Sequence, residues 1–142
     1  MILLPAKRMF GIMEYKRAVG KAAHVVWEKL QFRKDRHHMK FFHLSDLHIG
    51  LKLINRDLRE DQEYILAEVV EAAAQEKPDA IVIAGDIYDK AVPSAEAVEI
   101  FDRFLGELTE AVPSAVIMMI SGNHDSAPRV DCFRKVLSRQ KV

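Results

Sequence analysis

Ala80-Ile81-Val82-Ile83-Ala84-Gly85-Asp86-Ile87-Tyr88-Asp89 is the stretch that decides the fold. Its first five residues are apolar without a polar alternate, which reads as a strand inside a parallel sheet. Gly85 ends the run and lets the chain turn sharply out of the strand. Two aspartates follow within four residues. Carboxylates placed at the carboxyl end of a buried strand are where an open α/β sheet binds its ligands.

The same grammar recurs on both sides. Upstream, Lys40-Phe41-Phe42-His43-Leu44-Ser45 is a short apolar run that ends in Asp46-Leu47-His48. Downstream, Ala115-Val116-Ile117-Met118-Met119-Ile120 is a third apolar run, ending in Gly122-Asn123-His124-Asp125. Two helices are expected between them. The first begins at Asp57-Leu58-Arg59-Glu60, a capping-box pattern, and presents Ile65, Leu66, Val69, Val70 and Ala73 on one face. Pro78-Asp79 closes it. Pro93-Ser94 opens the second, whose apolar face is Val98, Phe101, Leu105 and Leu108, and Pro113 ends the connection. A last helical stretch after Pro128 includes Val130, Phe133, Val136 and Leu137. Strand–helix–strand–helix–strand predicts an α/β fold with a parallel sheet covered on both faces. Right-handed crossovers bring all three strand ends to one edge.

Asp46, His48, Asp86 and Asn123 should therefore converge although they are far apart in the chain. Carboxylate, imidazole and amide oxygen make a hard-to-borderline donor set suited to Mn²⁺, Mg²⁺, Fe or Zn²⁺. A central carboxylate can bridge two cations, and two metals ~3.5–4 Å apart can clamp the attacking and departing oxygens of a phosphate displacement. Each motif alone is weak, and polar turns after strands favour Asp and Asn in any case. All three in this order, each at a strand end, are specific.

Asp46-x-His48, Gly85-Asp86-x-x-Asp89 and Gly122-Asn123-His124-Asp125 resemble the first three signature motifs of the calcineurin-like metallophosphoesterases. Met39-Lys40-Phe41-Phe42-His43-Leu44-Ser45-Asp46-Leu47-His48-Ile49-Gly50 is similar, more finely, to the start of the SbcD-type nuclease subunits of bacterial exonucleases. The resemblance covers Met39 to about Leu137. It implies the first part of a four-layer sandwich. It also implies that Asp46 and His48 bind one metal, Asp86 bridges both, Asn123 binds the second, and His124 is the catalytic histidine. The implied cofactors are two divalent ions, Mn²⁺ first and Mg²⁺ as the alternative. The implied partners are DNA, an SbcC-type ATPase subunit and a second copy of the nuclease subunit. The alternative within the superfamily is a phosphoesterase acting on a small molecule or a protein phosphate. The family takes further histidine ligands from later motifs, whereas the last histidine here is His124. The expectation is a truncated domain that is inactive alone, or a non-catalytic fragment.

Outside that match the chain changes character. Residues 1–38 carry nine Lys/Arg and three Asp/Glu, hence +6, and residues 39–142 carry twelve and eighteen, hence −6. The split predicts a basic, poorly ordered extension over 1–38 and the nuclease-like domain over 39–142. Val19, Ala22, Ala23, Val26 and Leu30 recur at helical spacing, which suggests a short amphipathic helix over Tyr15–Leu30. No apolar run approaches the ~18 residues of a membrane span. The single cysteine, Cys132, excludes an internal disulfide and fits a cytoplasmic protein; it is read as a small core residue. Met118 and Met119 are read as strand core, His43 as structural. Asp89 could orient His124 or a ligand, or sit in a surface turn. Arg129, Arg134 and Lys135 could meet DNA phosphates, but read first as a solvated helix face.

Overall fold

A computed structural model describes residues 24–28, 39–54, 56–132, 134–137 and 142. Its elements in chain order are β1 (His24–Glu28), β2 (Phe41–Ser45), β3 (Lys52–Leu53), β4 (Arg56–Asp57), α1 (Arg59–Glu76), β5 (Ala80–Ala84), α2 (Ala95–Ala111), β6 (Val116–Ile120), α3 (Ala127–Val130) and α4 (Arg134–Leu137). The main sheet has the order β1-β2-β5-β6. β2 pairs parallel with β5, and β5 parallel with β6, so the three expected strands are adjacent and co-directional. β3 and β4 form a two-stranded ribbon beside it.

The helices obey the sequence with two adjustments. α1 is not opened by a capping box. Its N-cap is Leu58, whose side chain cannot cap, and Asp57 sits one residue too early, in β4. Asp57 instead accepts the Arg59 N–H at 3.0 Å and pairs with the Arg59 side chain at 2.8 Å. Glu60 and Asp61 in the first turn still oppose the helix dipole. Lys77 ends the helix in the left-handed region, and Pro78 cannot continue it. α2 is capped as expected, with Ser94 Oγ accepting the Ala97 N–H. Its buried face is Ala97, Ile100, Phe101, Phe104, Leu105 and Leu108. Val98, expected on that face, is 44% exposed, because the stripe through Phe104 turns it away from the sheet.

Both helices cover one face of the sheet, not two. The strand order runs one way from β2 through β5 to β6, and successive right-handed crossovers then fall on the same side. The core accordingly takes alternate strand residues, Phe42, Leu44, Ile81, Ile83 and Ile117, together with both helix stripes. On β6 the other alternates, Val116, Met118 and Ile120, are exposed, so Met118 is not core; Met119 is half-buried. They line an open groove of about 950 Å³ with Pro128, Val130 and Leu137. Cys132, also expected in the core, is exposed in the turn after α3. Phe133 lies outside the described residues, as does the side chain of Val136. His43 is half-buried in β2, and Arg134 pairs with Asp131 at 3.7 Å on the surface.

The helical spacing suggested for Tyr15–Leu30 is not realised at residues 24–28. That segment, rich in β-formers, is β1, and it pairs antiparallel with β2. It occupies the backbone edge that β2 would otherwise leave unpaired. Val19, Ala22, Ala23 and Leu30 lie outside the described residues. Among the described residues, no helix is long and apolar enough to cross a membrane.

Removing a fully buried ring should be felt far more than trimming the misjudged valine. Phe104→Ala is expected to lower unfolding free energy by about 3–5 kcal/mol, and Val98→Ala by less than about 0.5 kcal/mol. Urea denaturation followed by circular dichroism measures both. Equal losses would contradict the assigned helix face.

Candidate metal centre

Three loops leave the carboxyl ends of β2, β5 and β6 and interlock before any side chain is considered. The Asp46 N–H donates to the Gly85 carbonyl at 3.2 Å, His48 N–H to the Asp86 carbonyl at 2.9 Å, and Ile49 N–H to the Ile87 carbonyl at 2.9 Å. The pairing of β2 with β5 is thus continued past the strand ends into the loops. Gly85 N–H donates to the Ile120 carbonyl and ties in the third loop.

The backbone at these points is unusual. Asp46, His48 and Asp86 have φ of 56°, 44° and 44°, and Gly85 has φ 80°. Left-handed conformations at non-glycine residues cost of order 1–3 kcal/mol each and gather at functional sites. Asp and His tolerate them better than most residues. Here they turn three side chains out of successive strand ends toward one another.

The side chains meet as a result. Asp46, His48 and Asp86 each offer a donor atom within 4.8 Å of the others, and so do His48, Asp89 and His124. Asp86 is 8% exposed. Its Oδ1 accepts the His124 N–H at 2.8 Å. Its Oδ2 lies 3.9 Å from His48 Nε2. His48 Nδ1 is buried without a hydrogen-bond partner, 3.8 Å from Asp89 Oδ1. The His48 and His124 rings meet edge to face with centroids 4.9 Å apart. Asn123 is exposed in the same loop, between Gly122 and His124.

This arrangement fits a divalent cation. Two carboxylates this close repel one another unless positive charge lies between them. A separation of 3.9 Å is too long for a hydrogen bond, yet two donors sharing one cation through bonds of about 2.1 Å can span it. A buried ring nitrogen with no partner is a group waiting for a proton or a metal. The donor chemistry, carboxylate with imidazole, suits a hard-to-borderline divalent cation.

Two residues hold the loops in ways the sequence did not declare. Asp125 Oδ2 accepts the N–H groups of Ile87 and Gly122 at 3.0 and 2.9 Å, and its Oδ1 accepts that of Tyr88 at 2.9 Å. One carboxylate therefore bolts the β5 loop to the β6 loop. The only sequence signal was its place at the end of the Gly122–Asp125 tetrad. Gly122 has no room for a side chain, since a Cβ there would overlap the Asp86 amide and carboxylate. Asp89 does orient His124, but through its main chain: its carbonyl accepts His124 Nδ1–H at 3.0 Å. That bond is the largest cause of a raised His124 pKa; desolvation opposes it, and the charges of Asp86, Asp89 and Asp125 each add a smaller upward push.

The sequence also matches known proteins. The family model described as "Calcineurin-like phosphoesterase" matches residues 39–141. The SbcD subunit of the nuclease SbcCD from Staphylococcus saprophyticus is 41% identical over 93 residues, covering 66% of this chain and 24% of that protein. The chain thus spans about a quarter of the length of this relative.

In the metal-free chain His124 should titrate above the ordinary histidine value of about 6.5. Its raised pKa stabilises the folded loop below the ordinary value, and that contribution fades as pH rises through the raised one. NMR of the imidazole resonances measures it, and titration below the ordinary value would contradict the placement of the Asp89 carbonyl.

Proposed function

The chain belongs to the calcineurin-like phosphoesterase family, and from that premise we propose that it is the ligand-bearing first part of a metal-dependent DNA nuclease subunit. The observation that carries the reading is the convergence of Asp46, His48 and Asp86 at the strand ends, with His124 beside them. The likeness to a nuclease subunit over 93 residues favours a phosphodiester of DNA over a small phosphate monoester. The family match beginning at residue 39 supports reading 39–142 as nuclease domain, with 1–38 as an extension that lends it an edge strand.

In this reading Asp46 and His48 would hold one cation, Asp86 would be shared between two, and Asn123 would contribute to the second. Such ions, Mn²⁺ in the first instance, activate a water and neutralise charge on the phosphate when bound. The protein's share is positioning. Asp86 is fixed through its Oδ1 to the His124 amide, which leaves Oδ2 on the side of His48. The Asp89 carbonyl and the surrounding carboxylates favour the protonated form of His124, which would donate to the leaving oxygen. An SbcC-type ATPase partner, a second nuclease subunit and a cytoplasmic site of action, each implied by the family resemblance, complete the proposal.

The donors are unequal between the two ions. Among the described residues, Asp46, His48 and Asp86 would grip the first, whereas only Asp86 and Asn123 are assigned to the second, a weak grip. The 142-residue chain by itself is therefore expected to bind Mn²⁺ weakly and to leave DNA intact. A chimera tests the function. The matching stretch of the Staphylococcus protein is replaced by that of this chain, and Mn²⁺-dependent cleavage of linear duplex DNA is assayed beside hydrolysis of bis-p-nitrophenyl phosphate. DNA cleavage that falls at least ~10²-fold on Asp86→Ala is expected, a loss on the scale seen for removing a charge-stabilising group. A folded chimera that hydrolyses only the small ester would favour the small-molecule phosphoesterase. Activity surviving Asp86→Ala would overturn the bridging role, and robust cleavage by the chain alone would overturn the ligand assignment.

A further inference from the structure

Gln62 and Asp86 are the polar or charged residues buried among the described residues, and Gln62 is 1% exposed. It lies early in α1, on the same face as the core residues Ile65, Leu66 and Val69. An apolar side chain there would avoid the desolvation that a buried amide suffers. Both ends of the amide are instead engaged. Its Oε1 accepts the Gly50 N–H at 3.0 Å, and its Nε2 donates to the His48 carbonyl at 2.8 Å.

These two bonds fall on the segment that carries His48. Its other side is held by the β5 loop, through His48 N–H to the Asp86 carbonyl and Ile49 N–H to the Ile87 carbonyl. The segment runs between the β5 loop and a glutamine that imitates a neighbouring strand, offering one acceptor and one donor to the main chain. Glutamine suits the place because it presents both at once; a glutamate carboxylate would face the His48 carbonyl with another acceptor. The segment needs holding, since His48 itself sits at φ 44° and Gly50 at φ 91°. A residue kept in that region persists only where its surroundings over-determine it.

We propose that Gln62 is a positioning residue for His48, fixing the main chain of residues 48–50 so that the imidazole faces Asp86. The proposal rests on the metal-centre reading above. Supports of this kind, one step removed from the ligand, change metal affinity by about 10–100-fold when removed. A purely structural role would lower stability and leave affinity alone.

The test is Mn²⁺ titration of the full 142-residue chain, followed by loss of the free-ion EPR signal. Gln62→Met keeps the length without polar groups, and Gln62→Asn keeps the amide one methylene short. Ile65→Val, on the same buried face, is the stability control. Both Gln62 variants should bind Mn²⁺ about 10–100-fold more weakly, and Ile65→Val like the unaltered chain. Unchanged affinity in a Gln62 variant that retains its circular dichroism overturns the proposal, as does an equal loss in Ile65→Val. If Gln62→Met does not fold, Gln62→Asn decides. Asp86→Asn separates the two readings. Uptake that is absent from the unaltered chain, or undiminished in Asp86→Asn, removes the metal centre and this role with it. Uptake lost in Asp86→Asn but intact in the Gln62 variants removes this role alone.

Discussion

Asp86 is bound to its neighbours through both of its oxygen-bearing groups, and the site depends on that double attachment. Its main-chain carbonyl takes the His48 amide, and its carboxylate takes the His124 amide. Three strand ends are thereby locked to one residue that is itself almost without solvent. A buried carboxylate with a single fixed hydrogen bond is an expensive arrangement in an apolar setting. It becomes reasonable if a cation completes it, and the Asp46 carboxylate and the His48 ring beside it supply the remaining donors.

The backbone shares the same logic. Left-handed φ at Asp46, His48 and Asp86 would be unfavourable in free loops. It is maintained by bonds from outside the strained residues: the strand-like pairing of the first two loops, the triple acceptance of amides by Asp125, and the contact that only a glycine at 122 allows. The sheet provides the rigid origin for all of them. Its core of Phe42, Leu44, Ile81, Ile83 and Ile117 under two helices fixes where each loop begins.

Much of this could be read from the residues. Apolar runs of strand length bounded by Gly and Pro placed β2, β5 and β6 and the two long helices nearly to the residue, since burial leaves little choice for such runs. The ligand types at the strand ends were legible for the same reason. What escaped depends on partners distant in sequence. Periodicity over Val19–Leu30 could not reveal that His24–Glu28 pairs with β2, because pairing is a property of two segments. Covering both sheet faces was expected from the alternation of strands and helices, while strand order, which sequence does not print, put both helices on one side. Asp57 looked like a cap but lies one residue too early. The supporting role of Asp125 is exerted through amides of another loop, invisible to spacing within its own.

The central claim is that the loops after β2 and β5 form a cation site around Asp86. Crystals grown with Mn²⁺ and measured near the manganese absorption edge test it most directly, through the anomalous difference map. The account predicts a peak bounded by the Asp86 and Asp46 carboxylates and the His48 ring, with those residues still in left-handed backbone conformations. A map without a peak at that place, in crystals where Asp86 still accepts the His124 amide, would contradict it.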